Sequence, residues 1–199
     1  MFFCLPWFVG FSKAHMLSPT GACRVFDEKA DGYARSEGGA VVLLKDLEEA
    51  QKDGDAIYAV IRAAAVNSDG RTTGIALPSG EAQAQLLKDV YEGAETGLDK
   101  SRIAYVEAHG TGTAVGDPVE TGAIGRVLGH REASQEPLVI GSVKGNLGHL
   151  ETGSGMAGLA KALLTLQNRR IYPNLHFETP NPAIDFRALG LRVATQIEP

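Results

Sequence analysis

The sequence predicts a layered α/β protein, and three observations carry that prediction. Five apolar, β-branched runs are spread along the chain, at 39–45, 57–67, 103–109, 138–143 and 191–195. Several are apolar on both faces, the pattern of strands buried within a sheet rather than lying at its surface. Helical patterns lie between them, the alternation that lays helices over a sheet. No internal repeat, low-complexity tract or long polar linker interrupts the 199 residues, so a single unit is expected.

Taken in order, the start Met1–Phe11 is densely apolar but far shorter than the roughly 20 residues of a membrane span, and it lacks the basic residues that open a cleaved signal. It reads as core sequence. Residues 81–97 place Leu86, Leu87, Val90, Tyr91 and Ala94 on one stripe, with Ser79 as N-cap and Glu81 near the positive helix end, and predict a crossover helix. The run Asp117-Pro118-Val119-Glu120 combines a capping Asp, Pro at the first helical position and Glu three residues after the cap. It predicts a helix beginning at Pro118 and ending near Gly129. A third helix is expected over 154–167, with Met156, Leu159, Leu163 and Leu166 facing inward and Gly155, Ala157 and Gly158 permitting close packing. Residues 172–187, with Pro173, Pro180 and Pro182, read as an extended connection.

Composition narrows the function. With 44% hydrophobic and 22% charged residues the chain is an ordinary globular protein. Its 19 Lys+Arg stand against 24 Asp+Glu, a formal charge of −5 with no basic cluster, which argues against nucleic acid as a partner. Cys4 and Cys23 are too few for a disulfide scaffold and lack the spacing of a zinc site, so a reducing, cytoplasmic setting without a membrane anchor is expected.

Chemistry concentrates in two segments, Glu107-Ala108-His109-Gly110-Thr111-Gly112-Thr113 and Lys144-Gly145-Asn146-Leu147-Gly148-His149-Leu150-Glu151. In each, an apolar strand runs into a Gly-rich loop bearing a histidine, where open α/β sheets place their ligand-contacting groups. Two neutral imidazoles aimed at one oxygen would stabilise an enolate or tetrahedral intermediate without a metal, so the rings of His109 and His149 are expected within about 8 Å. Lys144 adds a positive charge, and Glu151 is the expected partner of its ammonium. His109, Asp117, His149 and Glu151 are ligand types, yet none falls at the spacing of a recognised zinc motif, and no metal is expected. The formal GxGxxG at 153–158 begins ten residues after the preceding strand rather than directly after it, and reads as a packing feature.

These two segments, with Gly116-Asp117-Pro118-Val119-Glu120 and Gly141-Ser142-Val143 before Lys144, closely resemble the ketosynthase domain of polyketide synthases. The likeness also covers Phe11-Ser12-Lys13-Ala14, Met16-Leu17-Ser18-Pro19, Phe26-Asp27, 30–38 and Asn174-Leu175-His176-Phe177, leaving only the first six or so residues without a counterpart.

The resemblance implies a thiolase-like layered α/β/α/β/α fold, incomplete here: about 7–56 as the end of the N-terminal half and about 57–199 as a C-terminal half truncated at its end. It implies a decarboxylative Claisen condensation of acyl and malonyl thioesters. His109 and His149 match the histidines that polarise the malonyl thioester, Lys144 the lysine that supports the second, and Thr111 and Thr113 the threonines lining a phosphopantetheine arm. No bound cofactor is implied beyond that arm, borne by an acyl carrier protein. The rest of a multidomain synthase and a second copy in a homodimer are the other implied partners. The family's nucleophile motif, Asp-Thr-Ala-Cys-Ser-Ser, is not in this sequence, and no nucleophile is assigned in this chain. Cys23 reads as an inert thiol, and Cys4 lies in the unmatched start. The chain is therefore expected to be an internal ketosynthase fragment that does not condense acyl units alone. The rival reading is a non-catalytic remnant or interaction module; a degradative thiolase would need cysteine motifs that are absent.

Overall fold

The computed structural model describes residues 5–72, 74, 77–92, 97–129 and 136–199. Three short parallel strands form its sheet: β1 (Tyr105–Glu107), β2 (Leu138–Gly141) and β3 (Leu191–Val193), in the order β1-β2-β3. The register sets Tyr105 opposite Val139, Glu107 opposite Gly141 and Leu138 opposite Leu191. The central strand β2 is buried at every position, which is why its sequence Leu-Val-Ile-Gly shows no polar alternation. Alternate side chains take opposite faces. Leu138 and Ile140 join Ala84, Ala123, Ile124, Val127 and Leu128 in the main core, whereas Val139 packs with Tyr105, Ile171 and Ala194.

Helices cover both faces. On the first lie α3 (Gly80–Tyr91) and α4 (Gly116–Ile124), the latter continued by a wider π-type turn to Gly129, the end expected from sequence. On the second, α6 (Ser154–Asn168) brings Lys161 Nζ to 5.4 Å from the centre of the Tyr105 ring. Ahead of α3 in the chain lie α1 (Leu5–Lys13) and α2 (Leu47–Asp53), and the short α5 (Lys144–Leu147) follows β2. Ser79 caps α3 as expected, its Oγ accepting from the Ala82 N–H at 3.2 Å; Ala94 lies outside the described residues.

Several expectations need correction. Neither 39–45 nor 57–67 forms a strand, and Val41, Leu43 and Val66 are 98%, 96% and 92% exposed. β propensity expresses itself only against a ladder partner and apolar neighbours, and among the described residues neither segment has a strand beside it. In α6, Leu166 is exposed rather than inward, because nothing among the described residues covers the last turn of that helix; Ala157 is the residue it buries. The apolar start is not core either. Leu5 and Trp7 on α1 face solvent, while the Phe11 and Tyr33 rings meet in a T-shaped contact with centroids 6.4 Å apart.

Candidate active site

Parallel neighbours β1 and β2 end side by side, so the loops that leave them meet. Pairing extends one residue past β1, where the Ala108 N–H donates to Gly141 O at 2.8 Å. Beyond it the rings of His109 and His149 stand edge to face with centroids 5.3 Å apart, within the expected distance. Two glycines make this closeness feasible. Gly110 has φ +43°, and a Cβ there would lie 2.6 Å from Val25 Cγ1; Gly148 has φ +77°, and a Cβ would lie 2.8 Å from Ala34 O.

Two carboxylates hold the first loop, and neither does what the sequence suggested. The helix α4 begins at Gly116, and Asp117 does not cap it. Its carboxylate is fully buried and accepts from the Phe26 N–H at 2.7 Å and the Gly112 N–H at 3.1 Å. Burial raises its pKa from 3.8 to about 6, against the opposing pull of those donors. Glu120 turns away from its own helix end and accepts from the His109 and Gly110 N–H groups at 2.6 and 2.8 Å. The first turn is instead served by Thr113, whose Oγ1 accepts from the Gly116 N–H at 3.1 Å and lies 3.0 Å from Thr111 Oγ1. The local pattern Asp-Pro-Val-Glu satisfied a capping rule, but a loop rich in unpaired N–H groups competes for the same oxygens and wins.

The second loop is zipped onto residues 34–36: the His149 N–H donates to Ala34 O at 2.7 Å, and His149 O accepts from the Ser36 N–H at 2.9 Å. The Glu151 N–H donates to His149 Nδ1 at 2.9 Å. A backbone N–H can only donate, so Nδ1 carries no proton and the neutral ring holds its hydrogen on Nε2. Burial and the nearby Lys144 hold both imidazoles down to about 4, well below the ordinary histidine value. His109 is the more exposed ring, and exposure rehydrates an ion, so the neutral-donor argument rests chiefly on His149.

Lys144 is buried, and its Nζ donates to His109 O at 2.5 Å. Burial lowers the pKa of its ammonium, opposed by Glu120 and Glu107. Glu151 is not its partner. That carboxylate pairs with the buried Arg35 at 2.7 Å, which corrects the expectation from sequence. Sequence reasoning also passed over Ser142, whose Oγ donates to Gly110 O at 3.0 Å, and Glu107, whose carboxylate accepts from the Val143 N–H and the Tyr105 hydroxyl, both at 2.5 Å. The one signal available for Glu107 was its place at a strand end beside the histidine.

A cavity of about 320 Å³ opens against this cluster, lined in part by His109, Lys144, Glu107 and Ser154. Cys23 is buried, accepts from the Ala34 N–H at 3.2 Å and has its thiol pushed up by burial, the reverse of an activated nucleophile; Cys4 lies outside the described residues. Among the described residues no three His, Cys, Asp or Glu side chains converge as a metal site. In the GxGxxG stretch, Gly158 lets α6 approach Glu107.

The beta-ketoacyl synthase C-terminal domain matches residues 58–178, and the N-terminal domain of the same enzymes matches residues 3–50. The chain belongs to the beta-ketoacyl synthase family. Its likeness is to the ketosynthases of polyketide synthases. It is 51% identical over 192 residues, 96% of its length, to a phenolphthiocerol/phthiocerol polyketide synthase of Mycobacterium tuberculosis, and covers 10% of that protein. A highly reducing polyketide synthase of Gibberella zeae is 51% identical over 92% of the chain and 8% of its own length. Among solved structures, the ketosynthase from module 6 of the bacillaene synthase of Bacillus subtilis superposes with a TM-score of 0.95 at 38% identity, over all of this chain and 35% of that one. The fold is thus thiolase-like and incomplete relative to those domains. No helix among the described residues is long and apolar enough to cross a membrane.

Proposed function

We propose that this ketosynthase chain supplies the malonyl-activating part of a decarboxylative Claisen condensation in polyketide synthesis. One observation carries the reading: two imidazoles 5.3 Å apart, with Nδ1 of His149 occupied by a backbone N–H so that Nε2–H is its free donor. A malonyl thioester oxygen placed before the pair accepts from both rings. As the bond between the α-carbon and the carboxylate breaks, its electron pair moves toward the thioester, carbon dioxide leaves, and the enolate oxygen is held by donors already in place. With an acyl thioester on a partner cysteine, the enolate carbon attacks its carbonyl, a carbon–carbon bond forms and the thiolate leaves. Without one, the enolate takes a proton from water and yields an acetyl thioester.

The buried ammonium of Lys144 adds positive potential at the backbone of His109. The hydroxyls of Thr111 and Thr113 have two protons between them and use one in their mutual hydrogen bond, which leaves one to donate to an amide carbonyl of a phosphopantetheine arm. An acyl carrier protein, the rest of a multidomain synthase and a second copy are the partners this reading calls for, in the cytoplasm.

The test is carbon dioxide release from labelled malonyl carrier protein by the 199-residue chain. Release without chain-extended product, lowered about 10²-fold or more by either His109→Ala or His149→Ala, is expected. Equal release by the wild type and both variants would overturn the reading in favour of a non-catalytic module.

A further inference from the structure

We infer that Ser154 is a positioning residue for His149, its hydroxyl acting as a second donor on Nδ1 beside the Glu151 N–H. Ser154 Oγ lies 3.0 Å from Nδ1. Distance alone leaves the direction of that bond open; the Glu151 N–H at 2.9 Å decides it. Because the backbone group can only donate, Nδ1 is an acceptor, and the hydroxyl must be the donor. A second observation concerns the helix. Ser154 is the first residue of α6, one past the N-cap position held by Gly153, and its hydroxyl caps no first-turn N–H group. The hydroxyl is turned to the imidazole instead, from a position that also lines the cavity beside His109 and Lys144.

Two donors on one lone pair fix the ring in its plane beside the His109 ring and keep the hydrogen on Nε2. They also oppose protonation, since a proton on Nδ1 would face both. The other groups bearing on this ring are His109 at 5.3 Å, Tyr33 at 4.7 Å, Lys144 and Arg35, with Glu151 paired to Arg35. Of these, the cations already disfavour imidazolium, so the hydroxyl reinforces a bias rather than creating one.

This inference rests on the donor role proposed for His149, but its test does not. Long-range proton–nitrogen NMR spectra of the ¹⁵N-histidine-labelled 199-residue chain report tautomer and titration ring by ring, whatever the catalytic outcome. His149 should appear as the Nε2–H form. Ser154→Ala should raise its titration midpoint by about half to one pH unit and shift the Nδ1 resonance, while Ser154→Thr, which keeps the hydroxyl, should restore both. A His149 protonated on Nδ1 in the wild type overturns the inference without any variant, even should Ser154→Ala not fold. An unchanged midpoint in Ser154→Ala, or a Thr variant that behaves like Ala, overturns it equally. Carbon dioxide release follows as a separate readout: Ser154→Ala should lower kcat several-fold at unchanged KM.

Discussion

Replacing Asp117 distinguishes a helix cap from a loop anchor. A cap facing its own helix would cost about 0.5–2 kcal/mol on conversion to Ala. The structure requires more. The buried carboxylate receives the N–H groups of Phe26 and Gly112, and removing it strands both at about 1–3 kcal/mol each. The cost also depends on pH. Burial raises this carboxyl from 3.8 to about 6, so the folded chain holds the proton more tightly than the unfolded chain. The resulting stability is fully present below the unfolded value and disappears as pH rises through the folded one. A difference of about two pH units amounts to about 3 kcal/mol, most of it falling between about pH 4 and pH 7. Asp117→Asn cannot titrate and lacks this dependence. Urea unfolding followed by circular dichroism across that range should therefore show the wild type losing about 2 kcal/mol relative to Asp117→Asn as pH rises. Asp117→Ala should in turn be more destabilising at the acid end than at neutrality. Parallel curves for wild type and Asn, or a wild type that gains, would refute the reasoning.

Three further outcomes are expected. A double-mutant cycle of Glu151→Gln with Arg35→Met should show a coupling energy of about 1–3 kcal/mol, and the cycle with Lys144→Met one below about 0.5 kcal/mol; the reverse order would restore Glu151 as the partner of Lys144. Cys23 should resist iodoacetamide in the native chain and react only after denaturation, as read by peptide mass spectrometry that separates it from Cys4; rapid native labelling would make it a reactive thiol. Glu120→Gln places an amide against the His109 and Gly110 N–H groups, and should reduce carbon dioxide release about 10- to 100-fold with helix content retained by circular dichroism; full activity would show that the His109 loop needs no anchor.

Elements defined by local chemistry were legible in the sequence. Ser79 announced α3, the small and apolar pattern after Gly153 announced α6, and an unbroken apolar run announced the buried strand β2. What failed was non-local. The runs at 39–45 and 57–67 have strand composition, but a strand is completed by its neighbour, which no local pattern supplies. The histidine loops were legible because both glycines and imidazoles are marked in sequence and both follow strands. Their partners were not. Asp117 bonds to Phe26, 91 residues away, and Arg35 reaches Glu151 across 116. Nearness in sequence pointed each acid to the wrong group, Asp117 to its own helix and Glu151 to Lys144.

The use of acids around this site explains how imidazoles can serve as donors there. Glu107, Asp117 and Glu120 all accept from backbone N–H groups, those of Val143, of Phe26 and Gly112, and of His109 and Gly110. Negative charge is thereby spent on fixing the loops. Had a carboxylate bonded a ring nitrogen instead, it would have favoured imidazolium, an acid strong enough to hand its proton to an enolate and quench it. A neutral ring held by a backbone donor on Nδ1 offers an N–H that is polar but scarcely acidic, and it can stabilise the developing oxyanion without protonating it. Lys144, buried against the backbone of His109, then supplies positive potential, with one of the three N–H groups of its ammonium donated to the His109 carbonyl. A carboxylate turned from its loop onto either ring would therefore lose its backbone donors and also favour imidazolium, the protonation state that the proposed enolate stabilisation excludes.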